Sequence, residues 1–332
     1  MQIFIAGNVE SRRTAYFIKA GDELHIDIRF ISYKELEQNL SLYTNTIIKL
    51  EPPCYNETDF VAYNELCYAY IRQLRRIDAK SKAESVRFIN SPSSILLTLD
   101  KSKTKEVLSG LRTTPLLPAS ASNFEELIEI TQKQKRKNIF LKPRYGSGAG
   151  GIMALRIHPL SGDIRAYTTL KRINGHFYNT KHIYPLRDTR EIAPIANVVL
   201  KAGAIVEQWV MKDETDEGNY DLRVVSQFGK VEHVVVRYSK GTITNLHLNN
   251  KPGTFDDLSL PSSLKDEIAE QCLEANRLLG LNYSGTDILI EKDTLKPYII
   301  EVNGQGDHIY QDIFNENNIY KKQIKHQLCL PL

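Results

Sequence analysis

Asp287, Glu301 and Asn303 lie on two short apolar runs, GTDILIEK and KPYIIEVN, that read as the arms of a β-hairpin with Asp293 and Thr294 in its turn. A hairpin symmetric about Thr294 sets Asp287 directly opposite Glu301, where cross-strand Cβ atoms stand about 5 Å apart. Period-2 alternation returns Asn303 to the face of Glu301. Like charges directly opposite destabilise a strand pair, so the arrangement calls for a cation. Two carboxylates and an amide are hard oxygen donors suited to Mg²⁺, or alternatively Mn²⁺, shared with bound phosphate oxygens. Taken alone, the same residues are equally compatible with a solvated hairpin face that carries acids by chance.

A second group lies upstream. Gly146-Ser147-Gly148-Ala149-Gly150-Gly151 satisfies GxGxxG, but the dinucleotide fingerprint needs a helix after its glycines to hold the pyrophosphate. Here Ile152 to Ile157 is a β-branched, alternating run, which makes strand-loop-strand. No Lys-Ser or Lys-Thr closes the glycines as in a Walker loop. A protein-kinase loop places its lysine on a later strand and is followed by HRD and DFG, both absent from this chain. A glycine hairpin between strands can still fold over a polyphosphate and offer it backbone N–H groups, with Lys142 on the incoming strand as a companion cation. A tight turn needing positive φ explains one or two glycines, but poorly explains four in six residues.

These groups must be held by an ordinary globular chain. Its 332 residues allow two or three compact units, and 42% hydrophobic and 25% charged residues are average for a soluble protein. The net charge of +3 neither requires nor excludes an anionic partner. Lys133-Gln-Lys-Arg-Lys137 reads as a helix end rather than a nucleic-acid patch. Cys54, Cys67, Cys272 and Cys329 show neither disulfide nor zinc spacing, so a reducing cytoplasm fits. No apolar run suits a signal peptide or a membrane helix.

The pattern predicts strand, helix and strand over Gln2–Ala6, Ser11–Ala20 and His25–Ile31, a strand at Thr46–Leu50 and a helix over Thr58–Leu74. Further helices are expected over Leu97–Ser109, Phe124–Gln134 and Pro261–Leu279. Strands are expected around NIFLKP and GIMALRIH and over Ala204–Val210, Leu222–Gln227 and Val231–Arg237, with a loop over Lys171–Glu191. This divides the chain into an α/β unit at 1–90, a unit with the glycine loop at 91–203, and a unit with the acidic hairpin at 204–332.

Several segments, in order, resemble the ATP-grasp superfamily, in particular its RimK-like and glutathione-synthetase-like branches: LDKSKTKEVL, FLKPRYGSGAGG, IVEQWV, NYDLRVV, VEHVVVR, TITNLHLNN and the hairpin. The resemblance covers roughly residues 95 to 320, and the first 90 or so resemble the smaller domain that precedes that fold. It implies an α/β chain with a small N-terminal domain followed by a two-subdomain ATP-grasp fold. It places Lys101, Lys142 and the loop residues Gly146, Ser147, Gly148, Gly150 and Gly151 on ATP. Glu207 and the backbone of Gln208, Trp209 and Val210 are implied at the adenine, and Asp221 at the ribose. Arg223, Arg237 and Asn245 are implied at the reacting groups, and Asp287, Glu301 and Asn303 at the metal. One by one, these residues also read as helix-surface lysines, exposed strand acids and outward arginines. The chain departs from the pattern where Thr242 and Ile243 replace an arginine before the asparagine, and where EVNGQGDHIYQDIF lacks the usual proline. Asp307, His308 and Asp312 there either serve an unusual substrate or cap a following helix.

The implied reaction joins a carboxylate to an amine through an acyl phosphate and releases ADP. The substrates would be small molecules or peptides, without nucleic acid or membrane, and a homodimer is compatible. The alternatives are an ATP-grasp kinase acting on a hydroxyl and a non-catalytic nucleotide-binding module.

Overall fold

The structure, a computed structural model, describes residues 2–117, 121–158, 160–241, 243, 251–306 and 317–330. It begins with β1 (Ile3–Ala6), α1 (Arg12–Glu23), β2 (Ile28–Ile31), α2 (Tyr33–Gln38), β3 (Ile47–Leu50), α3 (Phe60–Ser81) and β4 (Arg87–Phe88). The four strands form a parallel sheet ordered β2-β1-β3-β4. Every residue of β1 and β3 is buried, as expected for parallel strands covered on both faces. Ser11 caps α1, and Asp59 caps α3 by accepting from the Val61 and Ala62 N–H groups.

The helix expected over Leu97–Ser109 is two helices, α4 (Pro92–Leu99) and α5 (Lys101–Val107), broken at Asp100. Asp100 leaves helical geometry (φ −95°, ψ 95°) and caps α5 by accepting from the Lys103 N–H. Its carboxylate also receives Arg144 Nε at 2.8 Å and Nη2 at 2.6 Å. No apolar residue falls between Leu99 and Val107, so apolar periodicity gives no reading of the backbone at Asp100.

Next come α6 (Phe124–Lys133), β5 (Asn138–Pro143), β6 (Met153–Ile157), β7 (Ile164–Ile173), β8 (His176–Leu186), α7 (Thr189–Lys201) and β9 (Ala204–Gln208). These strands form an antiparallel sheet ordered β8-β7-β6-β5-β9. The loop expected over Lys171–Glu191 is instead the end of β7, the whole of β8 and the start of α7. Exposed Lys171, Arg172, Lys181 and His182 hide the alternation. Asn174-Gly175, both at positive φ, is the two-residue hairpin signal that marks the turn.

The remaining elements are β10 (Glu214–Thr215), β11 (Gly218–Gln227), β12 (Lys230–Ser239), β13 (Lys251–Thr254), α8 (Ser262–Leu279), β14 (Tyr283–Ile290), β15 (Pro297–Asn303) and α9 (Asn318–Gln327). The sheet order is β13-β12-β11-β14-β15, with β10 on β11. Leu264, Ile268, Cys272 and Leu279 of α8 pack on Leu222, Val224, Val236 and Ile288 beneath it. In the β14–β15 hairpin, Ile290 faces Pro297 and Ile288 faces Ile299, which centres the turn between Asp293 and Thr294. Ile300 is then an extra residue, and this bulge brings Asp287 opposite Glu301. The expected pairing is therefore reached by a turn half a residue away from Thr294 plus a bulge.

Helix α9 returns to the first sheet. Tyr320 and Ile324 pack with Ile3, Ile5 and Phe17, and the Tyr320 and Phe17 rings meet edge to face at 5.7 Å. Lys49 of β3 is fully buried beside them, with Nζ 3.0 Å from Gln323 Oε1, 3.2 Å from Glu51 and 4.0 Å from the Tyr283 ring centroid. These contacts knit β3, α9 and β14 into one core. Tyr320→Ala should therefore cost about 3–5 kcal/mol, read as a lowered urea midpoint. An unchanged midpoint would show that α9 adds nothing to the N-terminal sheet.

Candidate active site

The site is built on a row of charges across four adjacent strands. Glu301 faces Asp287, Asp287 faces Arg223, and Asp221, two residues before Arg223 on the same face, faces Arg237. Arg223 Nε donates to Asp287 Oδ1 at 2.6 Å, and Arg237 Nη2 reaches the same oxygen at 3.1 Å. Arg237 Nε donates to Asp221 Oδ1 at 2.6 Å, while Lys212 Nζ donates to Asp221 Oδ2 at 2.9 Å. Burial works against charge on Arg237, but Asp221 and Asp287 outweigh it and raise its pKa. Arg237 is only 4% exposed, which removes the reading of an outward strand arginine. A Cβ on Gly285 would stand 2.7 Å from Arg223 Nη1, so glycine is what allows Arg223 to lie along this face.

The first lysine links the acidic hairpin to the glycine loop. Lys101, at the start of α5, donates from Nζ to the Gly146 carbonyl at 2.7 Å and stands 3.4 Å from Glu301. The loop joins β5 to β6 as strand-loop-strand, with Gly146, Gly148, Ala149 and Gly151 at positive φ. Ser147 and Gly148 are exposed, Gly150 is half-buried, and Gly151 is packed so closely on Phe60 that a Cβ would come within 2.4 Å.

The second lysine belongs to a buried cluster where the two larger sheets meet. Residues Arg112 to Leu117 bridge them: the Thr114 N–H donates to the Ile299 carbonyl of β15, and the Leu117 N–H to the Val206 carbonyl of β9. Glu207, 1% exposed, accepts from Lys142 Nζ at 2.7 Å and from the Thr114 hydroxyl at 3.0 Å, with Lys105 Nζ at 3.3 Å. Burial alone would raise the Glu207 pKa, yet Lys105 and Lys142 hold it at about 2. Burial dominates at Lys105 and brings it down to about 8 despite Glu207. Glu207 thus serves as counter-ion to two lysines, a different occupation from the adenine amino contact that the resemblance implies. The Gln208 and Trp209 N–H groups are bonded to the Pro115 and Asn138 carbonyls, which narrows the expected ring-edge pairing to the remaining backbone groups up to Val210. The Trp209 side chain packs on Phe140, with the Arg156 guanidinium over its ring.

Among the described residues, these contacts gather six cationic side chains, Lys101, Lys105, Lys142, Lys212, Arg223 and Arg237, against four carboxylates, an excess of two positive charges. Such an excess on largely buried side chains suits a polyphosphate. Asp287, Glu301 and Asn303 share one hairpin face and offer oxygen only. Asn303 Nδ2 donates to the Gly285 carbonyl at 3.3 Å, which leaves Oδ1 as its ligand atom. This donor set fits a hard divalent cation. No group of three or more His, Cys, Asp or Glu side chains gathers among the described residues, so a cation held here would need further ligands from phosphate or water. The like-charge repulsion that calls for a cation is already met by Arg223, Arg237 and Lys101; the metal reading rests on donor chemistry.

Asn245, Thr242, Asp307, His308 and Asp312 lie outside the described residues. The sequence reading missed Lys105, Thr114, Lys212 and Gly285. Lys105 had a signal: it follows Lys101 by four residues and so shares its helix face. No helix among the described residues is long and apolar enough to cross a membrane.

A sequence-family profile described as YheC/D-like ATP-grasp matches residues 87–329. The chain is 26% identical over 240 residues to the tetrahydromethanopterin:alpha-L-glutamate ligase of Methanocaldococcus jannaschii, covering 71% of this chain and 68% of that protein. It is 25% identical over 169 residues to the ligase of the same name from Methanococcus maripaludis, covering 51% of this chain and 45% of that protein, so the match spans under half of that relative. Its structure resembles D-cycloserine synthetase DcsG, with a TM-score of 0.65 at 12% identity over 99% of this chain and 100% of the other. It also resembles the D-alanine–D-alanine ligase of Bacillus anthracis, with a TM-score of 0.58 at 13% identity over 98% and 95%. At these identities the structural likenesses show the fold.

The Glu207 cluster sets a pH dependence. A carboxyl whose pKa falls from 4.5 to about 2 adds stability above pH 4.5 and loses it between those values as pH drops. A lysine lowered from 10.5 to about 8 gives the same sign of slope in a different window: its cost is full below about pH 8 and is relieved as pH rises towards 10.5. Glu207→Gln should lose about 3–5 kcal/mol at pH 7, with the gap from wild type closing on acidification through that carboxyl window. Parallel urea melts of both proteins from pH 7 to 3 check this, and a gap that stays constant would remove Glu207 as the counter-ion.

Proposed function

The chain belongs to the YheC/D-like ATP-grasp family, and from that premise we propose that it is an ATP-dependent carboxylate–amine ligase. The observation that carries the reading is the convergence of Lys101 on both the glycine loop and Glu301, opposite the Arg223–Asp287–Arg237 contacts. These contacts draw together glycine-loop backbone, cations and oxygen donors, which supports a site for a polyphosphate and its metal. That the curated relatives are named as ligases supports the same reading. Our reading keeps the division at 1–90, 91–203 and 204–332, with α9 returning to the first unit.

In the proposed reaction the γ-phosphoryl of ATP passes to a substrate carboxylate oxygen, which gives an acyl phosphate and ADP. The amine lone pair then attacks the acyl carbon, the C–O bond to phosphate breaks with its electron pair leaving on phosphate, and the nitrogen loses a proton to give the amide. The chemistry is mainly positioning and charge stabilisation, and it needs no protein nucleophile. Lys101 and Lys142 would steady the phosphates. Arg237 and Arg223 would face the charge that develops on the transferring group and would return to Asp221 and Asp287 afterwards. Asp287, Glu301 and Asn303 would hold a divalent ion, Mg²⁺ or Mn²⁺, which when bound neutralises phosphate charge and orients the polyphosphate.

Amino acids and short peptides, offered in pairs as acid and amine, should release ADP and phosphate for the right pair. AMP with pyrophosphate would rule out the acyl-phosphate route, and a phosphorylated hydroxyl without amide formation would make the protein a kinase. Glu301→Ala should lower kcat by about a thousandfold with little change in melting temperature. Loss of folding instead would show that the hairpin acids are structural.

A further inference from the structure

The glycine loop is held from outside its own sheet. Tyr63, one turn into α3, accepts the Ser147 N–H at 2.9 Å through its hydroxyl, which also lies 3.4 Å from the Ser147 carbonyl. Its ring lies 3.2 Å from where a Cβ on Gly146 would stand, and Gly146 is held at φ +114°. The ring is fixed in turn: it is 8% exposed, packed among Cys67, Ile71 and Tyr145, and edge to face with Tyr55 at 5.7 Å.

The loop has other fastenings, and they leave little of it free to move. At its root, Arg144 is bound to Asp100, the Lys101 N–H donates to the Arg144 carbonyl at 3.2 Å, and Lys101 Nζ holds the Gly146 carbonyl. On the far side, the Thr169 hydroxyl of β7 donates to the Ala149 carbonyl at 2.7 Å. Between these points a Cβ on Gly148 would meet nothing within 4 Å. Tyr63 is the hydrogen-bonded fastening carried by α3, which also packs Phe60 against Gly151 and whose Tyr70, Leu74 and Ile77 pack under the first sheet. The same stretch of chain also holds β8: the Asn179 N–H donates to the Thr58 carbonyl at 2.7 Å, and Asp59 pairs with Tyr178.

We propose that Tyr63 is a positioning residue, by which the N-terminal sheet's helix holds the glycine loop in its phosphate-facing form; this rests on the ligase reading above. A loop prepared in this way gives up less freedom when it closes on ATP, so loss of the hydroxyl falls on nucleotide binding and spares the chemical step.

Tyr63→Phe in the full chain removes both hydrogen bonds and keeps the ring packing. Hydrogen exchange across residues 144–151 should quicken about fivefold, the KM for ATP should rise about fivefold, and kcat at saturating ATP should stay within twofold, as befits the loss of one short neutral hydrogen bond and one long one. The melting temperature should hold, which separates this result from general loosening. Wild-type turnover together with an unchanged KM and unchanged exchange in the variant overturns the latch and leaves the ligase reading standing. A fall in kcat at unchanged KM overturns it as well. A wild-type protein that neither binds nor hydrolyses ATP overturns the ligase reading and this inference together, whatever the exchange shows.

Discussion

Glu207 lies buried between two lysines at the junction of the two larger sheets, and the need to neutralise charge away from water governs the rest of the site. An isolated ammonium at that depth would shed its proton rather than stay charged. With the carboxylate there, Lys142 and Lys105 have a buried counter-ion beside the glycine loop, and the sheets must meet closely enough for a third element to close the cluster. That element is the Arg112–Leu117 segment, which hydrogen-bonds to β15 on one side and β9 on the other and places the Thr114 hydroxyl on Glu207 and its carbonyl on Lys105. The join between the sheets and the charge state of the cleft are one feature seen at two scales.

The same logic extends across the β13-β12-β11-β14-β15 sheet. Asp221 and Asp287 each hold a buried or half-buried guanidinium in register, so the arginines are oriented by the sheet rather than by their own flexible stems. Their side-chain order is then fixed before any anion arrives, which lowers the entropy lost on binding. Of the two excess positive charges, one belongs to the Glu207 cluster and the other to the Asp221–Asp287 network.

Much of this was legible because strand chemistry has a period of two. The apolar arms around Asp293-Thr294 gave the hairpin, and alternation gave the shared face of Glu301 and Asn303. Strand-loop-strand around the glycines followed from the β-branched run after Gly151. What escaped was of two kinds. Asp100 breaks a helix through a local cap on Lys103 and long-range bonds to Arg144, within a polar run, Asp100 to Glu106, that carries no apolar spacing to mark the break. Lys105, Lys212, Thr114 and Tyr63 act through residues 9 to 93 positions away in the chain, contacts that no local window contains. The Asn174-Gly175 turn is a local signal of the β7–β8 hairpin, and the exposed charged residues around it obscure the alternation of the strands on either side.

The loop's fastenings place a physical limit on how the cleft can open. A lid carried only by its own hairpin would swing about its root, but here the root is bonded to the α4–α5 junction and the shoulder to α3. Opening by rotation of the loop alone would break the Lys101, Tyr63 and Thr169 bonds together, at about 0.5–1.5 kcal/mol for each neutral bond and more for the charged one. Rigid displacement of β5 to β9 would keep the Thr169 bond but still break those to Lys101 and Tyr63, which stand on other elements. A small movement about Gly148 breaks none of the three. Its left-handed backbone and open surroundings make it the point of least resistance. A nucleotide entering this cleft therefore meets a loop whose shape is largely set beforehand, and whose remaining freedom lies at the residue nearest solvent.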